Sequence, residues 1–152
     1  LISPGLRVGY AILPPVMAAQ VIKFAEDTYI NAPHLNQAMV YRFIQKGWLD
    51  AQLAELKQLY SLRLESLLSS LDKTMKDKGY WNKPSGGFFT GLTVKRELEN
   101  EKFRQDVEKA GLRLSDGRGF FVQGGQSFIR LPFCALTPTE IKTGIQRLAE
   151  IL

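Results

Sequence analysis

Leu49, Leu53, Leu56, Tyr60, Leu64, Leu67 and Leu71 recur at steps of three and four, and no other feature of this chain restricts its fold as strongly. On a helical period of about 3.6 residues these positions share one face. They predict a single amphipathic helix of about 28 residues, some 40 Å long at roughly 1.5 Å per residue. The pattern is helical from His34 to about Lys78, with one interruption at Gly47. A helix of that length in a chain of 152 residues commonly joins two parts. A boundary is therefore expected near residue 46, dividing residues 1–46 from residues 47–152.

The flanks of this helix differ in character. Upstream, Ser3-Pro4-Gly5-Leu6 has proline at the second turn position and glycine at the third, which suits a type II turn. Residues 7–13 (RVGYAIL) are mostly apolar without a helical period, the pattern of a buried strand in an α/β sheet. Pro14-Pro15 closes that run and opens a helix whose Ala18, Val21, Ile22, Ala25 and Tyr29 make one apolar stripe. Asn31-Ala32-Pro33 breaks it.

Downstream, strands and helices alternate. Phe88, Thr90, Leu92 and Val94 share a strand face after a Pro84-Ser85-Gly86-Gly87 turn. Asn100 is placed to cap a helix with Phe103, Val107 and Ala110 turned inward and Gly111 at its exit. Short strands are expected at 112–114 and 120–122, and Gln123-Gly124-Gly125-Gln126 turns into a further strand at 127–133. Thr137-Pro138-Thr139-Glu140 is a capping box that opens a final helix striped by Ile141, Ile145, Leu148 and Leu152. The fold class expected is α/β, with an α+β small domain in which helices flank a small mixed sheet.

Composition removes several function classes. Twenty Lys and Arg against 15 Asp and Glu give a net charge of +5, but the excess is scattered. A nucleic-acid module is therefore the weakest reading and would need steep salt-dependent DNA retention to revive it. One cysteine and one histidine cannot build a Cys/His zinc site, and no metal is expected. No apolar stretch approaches the roughly 20 residues that span a bilayer, so no membrane is expected. A lone cysteine is compatible with a reducing compartment, and a cytoplasmic location is expected. Leu1 opens the chain in mid-pattern, without Met or a charged, apolar leader, so the sequence reads as a piece of something larger.

Two arginines are candidates for chemistry. Arg7 lies just after a tight turn at the mouth of an apolar run, where it is either a surface residue or a fork for an anion. Arg130 lies in Phe128-Ile129-Arg130-Leu131-Pro132-Phe133, where alternation puts Ile129, Leu131 and Phe133 on one face and Arg130 on the other. It either snorkels to solvent or waits for a carboxylate. His34 reads as a helix-start residue used in local capping or interface packing, and Cys134 as a small buried hydrophobe. Gly124-Gly125 is too short for a phosphate loop, and one histidine without a nucleophile elbow leaves no Ser/His/Asp triad.

Five segments carry a resemblance. Leu1-Ile2-Ser3-Pro4-Gly5-Leu6-Arg7-Val8-Gly9-Tyr10 resembles the stretch after the Schiff-base lysine of fold type I pyridoxal-phosphate aminotransferases of classes I and II. On that alignment the lysine would immediately precede Leu1, so no catalytic residue is expected within this chain. Arg7 then matches the arginine that binds the cofactor phosphate. Asn31-Ala32-Pro33-His34-Leu35-Asn36-Gln37 is similar to the helix start that lies near the partner's active site in the family dimer. Leu59-Tyr60 with Arg63 resembles the interdomain helix of the subgroup that contains aminoadipate-type aminotransferases and the aminotransferase-like domains of certain transcription regulators. Pro84-Ser85-Gly86-Gly87-Phe88-Phe89 resembles the small-domain strand entrance, and Phe128 to Phe133 the strand whose arginine, here Arg130, holds the substrate α-carboxylate.

The resemblance implies the C-terminal portion of an aminotransferase. Residues 1–46 would be the tail of the large cofactor-binding domain, and residues 47–152 the interdomain helix and small C-terminal domain. It implies pyridoxal 5'-phosphate as cofactor, a homodimer, and amino-group transfer between an amino acid and a 2-oxo acid. The alternative is an aminotransferase-like effector-sensing domain of a transcription regulator. One departure stands out: Ser115-Asp116-Gly117 occupies the place where the family usually has proline-glycine.

Overall fold

Gly47 takes a left-handed φ of 70°, which is why the helical pattern divides there into two helices. The computed structural model describes residues 2–152 apart from the side chain of Asn100. Leu1 and the capping role expected of Asn100 therefore lie outside the described residues. The elements are α1 (Pro15–Glu26), α2 (His34–Gln45), α3 (Trp48–Thr74), β1 (Gly79–Trp81), β2 (Phe89–Val94), α4 (Asn100–Lys109), β3 (Phe128–Pro132) and α5 (Pro138–Ile151). Short 3-10 turns stand at Pro4–Leu6 and Gly117–Phe120. At 27 residues, α3 is the long helix that the leucine stripe predicts. Residue 46 marks the gap before α3, whereas the two compact units of the chain divide within it, between Lys57 and Gln58.

In the first unit the N-terminal turn differs from expectation. Leu6 N–H donates to the Ser3 carbonyl and Arg7 N–H to the Pro4 carbonyl, each at 3.3 Å. Gly5 does not take the positive φ that a type II turn needs, and the segment closes as a 3-10 turn instead. Residues 7–13 form no strand, because every strand among the described residues lies in the second unit and offers this run no ladder. Tyr10 and Ile12 are consequently 92% and 90% exposed. The α1 stripe is only half covered: Ala18 and Ala25 are partly buried, while Val21, Ile22 and Tyr29 are exposed.

The second unit has its own core. The sheet order is β1-β2-β3, antiparallel throughout. The mixed sheet expected from the sequence needed strands at 112–114 and 120–122, and neither forms. Leu112 and Leu114 pack against the core without a ladder, and residues 117–120 are a 3-10 turn. The strand that sequence reading overlooks is β1, only three residues long, whose Gly79 leaves no room for a Cβ: one would come 2.5 Å from the Thr93 carbonyl.

Thr90 pairs with Leu131 and Leu92 with Ile129, so these residues share one sheet face. That face buries Thr90, Leu92, Val94, Ile129, Leu131 and Phe133 against Leu67, Leu71 and Met75 from α3 and its exit, and against Ile141, Ile145 and Leu148 of α5. Fully burying a side chain of this size is worth about 1.5–3 kcal/mol, so this face organises the unit. The α3 stripe deepens along the helix, from partly buried Leu49, Leu53 and Leu56 to buried Leu67 and Leu71.

Local chemistry closes the helix ends. The Thr137 hydroxyl accepts from the Glu140 N–H at 3.3 Å, and the Thr137 N–H donates to the Glu140 carboxylate at 2.7 Å, completing the expected capping box. That backbone donor, followed by the Thr137 hydroxyl, holds the Glu140 carboxyl below the ordinary carboxylate range. At the other end of α5, Lys78 donates to the Ala149 carbonyl and Arg96 to the Ile151 carbonyl, which complements the negative pole of the helix. Gly111, at φ 71°, ends α4 as expected.

The turn at Gly117–Phe120 has two specific supports. The Asp116 carboxylate accepts from the Arg118 N–H at 2.9 Å. Gly117 is buried so tightly that a Cβ would lie 1.9 Å from the Phe128 carbonyl oxygen. Gly117→Ala is expected to cost about 1–3 kcal/mol through forced displacement of the turn, read as a lower urea midpoint at unchanged m. Thr90 lies in the core with an Oγ1 that finds no partner. Thr90→Val keeps the shape and removes the orphan, so chemical denaturation should show a gain of about 1 kcal/mol.

Candidate anion-binding site

The face of the sheet opposite the core carries one cation. Because Ile129, Leu131 and Phe133 point into the core, the alternation of β3 turns Arg130 to the other side, as expected. Its cross-strand partner is Gly91, where a Cβ would come 2.7 Å from the Phe128 ring and 3.3 Å from the Asn82 carboxamide oxygen. Glycine at 91 therefore leaves the space beside Arg130 to aromatic side chains.

Those aromatic side chains hold the guanidinium. The Arg130 Cζ lies 4.2 Å from the centroid of the Phe89 ring and 4.1 Å from that of the Phe120 ring. The ring contacts on this face are Phe120 with Phe128 at 6.0 Å and Phe121 with Phe128 at 5.1 Å, and none joins Phe89 to Phe120. Arg130 is half-buried, and its Nε is buried without an acceptor. Neither ion pair among the described residues involves it. A planar cation stabilised by rings, with its N–H groups unspent, is equipped to receive a carboxylate or another flat anion.

Arg7 belongs to the first unit, and the structure gives its local setting. It follows the Pro4–Leu6 turn with a left-handed φ of 52°, its side chain exposed. The Asn36 side chain of α2 donates to the Leu6 carbonyl at 2.8 Å and ties down the residue before it. The donor is thus an exposed guanidinium beside a fixed turn, a setting compatible with a phosphate.

Other sequence candidates fall away. His34 is the first residue of α2 and is exposed, and no side chain caps that helix. Cys134 is a half-buried free thiol rather than a fully buried one, and its carbonyl accepts from Arg63. Gly124 and Gly125 have φ of 90° and 84°, and a Cβ on Gly125 would come 2.9 Å from the Arg118 Cα and the Gly117 carbonyl oxygen, so they serve the turn. A groove of about 610 Å³ runs along α5 between Leu112, Leu131, Ile141, Ile145 and Leu148. Its walls are mostly apolar, with Arg113 and Glu140 also lining it, and Arg147 is engaged with the Ala110 carbonyl at 3.2 Å. Arg130 is therefore the candidate for anion binding that the geometry favours. Sequence reading missed Phe89 and Phe120 as its partners; the only available signal was the aromatic density around Arg130.

Comparison with known proteins agrees with this architecture. A model of the family described as aminotransferase class I and II matches residues 1–148. The 2-aminoadipate transaminase of Thermus thermophilus is 26% identical over 153 residues, covering 100% of this chain and 38% of that protein. An HTH-type transcriptional regulator, TauR, of Rhodobacter capsulatus is 28% identical, covering 98% of this chain and 31% of its own length. The crystal structure of α-aminoadipate aminotransferase from Thermus thermophilus, in complex with N-(5'-phosphopyridoxyl)-L-leucine, superposes with a TM-score of 0.84 at 25% identity, over 98% of this chain and 38% of that one. The chain thus spans under two fifths of the length of these relatives. With its match running almost end to end, the chain belongs to the aminotransferase class I and II family.

Proposed function

We propose that this chain is the C-terminal portion of a pyridoxal-phosphate-dependent aminotransferase, a transferase that moves an amino group between an amino acid and a 2-oxo acid. The observation that carries the reading is Arg130: a half-buried guanidinium with an orphaned Nε and no acidic partner among the described residues. The donor set fits the cofactor and substrate that the family implies. Arg7, exposed after its turn, would hold the cofactor phosphate, and Arg130 would hold the substrate α-carboxylate. When bound, the cofactor supplies the electron sink for the bond broken at the α-carbon.

The residues of this chain then bind and orient. Arg130 neutralises the carboxylate and presents two parallel N–H donors, fixing the axis along which the substrate lies. The two rings packed against it stabilise the positive charge without supplying an acid that would compete for its donors. On this reading residues 1–46 are the tail of the large cofactor-binding domain, and residues 47–152 are the interdomain helix with the small domain. On the same reading the parent is a cytoplasmic homodimer without a membrane partner, and no nucleic-acid contact is expected of this chain. No helix among the described residues is long and apolar enough to cross a bilayer.

A second reading is supported by the likeness to proteins named as HTH-type transcriptional regulators. There the same residues would sense an amino acid rather than transform it.

Kinetics separate the two. Arg130→Lys in the full-length parent keeps the charge but loses the fork, and should lower kcat/KM by about ten- to a hundred-fold with cofactor absorbance nearly unchanged. Arg7→Ala should act in reverse, weakening cofactor retention on dialysis by about ten-fold or more before it touches the affinity for amino acid. Unchanged kcat/KM in Arg130→Lys would remove the clamp role, and a parent that binds amino acids without turnover would favour the sensor.

A further inference from the structure

We infer that Phe120 and Phe89 are positioning residues for carboxylate recognition: both rings pack against the Arg130 guanidinium and hold it where a carboxylate can reach its N–H donors. This rests on the reading of Arg130 as the carboxylate clamp and adds to it the groups that orient the fork.

The rings and the arginine are built onto the same two strands. Phe89 opens β2, two residues before the Gly91 that pairs with Arg130. Phe120 ends the turn at Gly117–Phe120, and that turn is seated on β3 itself through the close approach of Gly117 to the Phe128 carbonyl. Phe128 stands two residues before Arg130 on the same strand face, and its ring meets those of both Phe120 and Phe121. Displacing the turn therefore displaces one of the two rings. The Asp116 carboxylate, accepting from the Arg118 N–H and 3.9 Å from the Arg118 guanidinium, fixes the turn from its other end.

Holding a guanidinium with rings has a chemical consequence that holding it with an acid would not. An aspartate or glutamate beside Arg130 would neutralise it and occupy its N–H donors. A ring contacts the π-face, stabilises the positive charge through its quadrupole, and leaves those donors to a ligand. Arginine tolerates the loss of water from its faces because its delocalised charge is weakly hydrated. With the two ring centroids 4.1 and 4.2 Å from its Cζ, the guanidinium cannot swing away without giving up ring contact. The fork is thus oriented before the carboxylate arrives, which lowers the ordering cost of binding.

The test uses the full-length, cofactor-loaded parent and 3-phenylpropionate, a monocarboxylate without an amino group, as the probe. Its Kd is read by calorimetry and by the change in cofactor absorbance, beside kcat and KM for an amino acid. Phe120→Leu and Phe89→Leu should each raise the probe's Kd about three- to ten-fold and raise KM similarly, with kcat within about two-fold. Phe120→Tyr keeps the ring and should restore the probe's Kd to within about two-fold. In an Arg130→Lys background the effect of Phe120→Leu should fall below about two-fold, because no planar fork remains to be oriented. If both leucine variants bind the probe as the parent does while Arg130→Ala weakens it strongly, the clamp works without its rings and the inference is overturned. If Arg130→Ala itself leaves the probe's Kd unchanged, the carboxylate reading of Arg130 has failed and the inference falls with it. Both rings are about 40% exposed, so the leucine variants should fold, which circular dichroism verifies; Phe89→Leu gives an independent answer should Phe120→Leu misfold.

Discussion

The two-residue alternation of β3 is the constraint from which the rest of the second unit follows. Ile129, Leu131 and Phe133 are each buried to within a few per cent, and together they commit one face of the strand to α3 and α5. A slip of one residue in the β2–β3 register would put Arg130 into that core and three large apolar side chains into water. Burial of this magnitude leaves no freedom in where Arg130 points. The core therefore aims the arginine, and the antiparallel ladder places Gly91 opposite it so that the space on that side stays open to rings.

Features set by short-range chemistry were readable in the sequence. The leucine stripe specified α3, the capping box specified the start of α5, and Gly47 and Gly111 specified where helices stop, because each depends on a few neighbouring residues. The face of β3 was readable for the same reason. What was not readable depends on partners far along the chain. Residues 7–13 have the composition of a buried strand, yet a strand exists only where another offers a ladder, and no strand of the first unit does. Leu112 and Leu114 alternate correctly and do reach the core, but as an unpaired segment. β1 was invisible in the opposite sense: three residues are too few for a pattern, and only pairing with β2 makes them a strand.

The site divides along the same line. Its cation could be picked out because a lone arginine among Phe, Ile, Leu and Pro is conspicuous. Its aromatic partners could not, since Phe120 falls in a segment whose composition resembles a strand and whose turn is dictated by Asp116 and Gly117. Ser115-Asp116-Gly117, in place of the family's usual proline-glycine, puts no strain on this turn. The carboxylate of Asp116 supplies by hydrogen bonding the restriction that a proline ring supplies covalently, and Gly117 provides the close approach to Phe128.

Arg63 and Arg130 show how partners separate a structural arginine from a candidate binding one. Each has a buried Nε without an acceptor, and each has at least one aromatic ring close to its guanidinium. Arg63, however, spends its Nη1 on the Cys134 carbonyl, joining α3 to the segment that leaves β3, and nearby Ser66 donates to the Pro138 carbonyl at the start of α5. Its charge thus holds a chain crossing together, a role completed within the fold. Arg130 has no such acceptor and no acidic partner among the described residues, although two rings lie against its guanidinium. A buried guanidinium nitrogen left without a partner is uncommon and calls for a group that completes it. Partner accounting, rather than residue identity or burial alone, is what makes Arg130 the candidate site arginine of this unit.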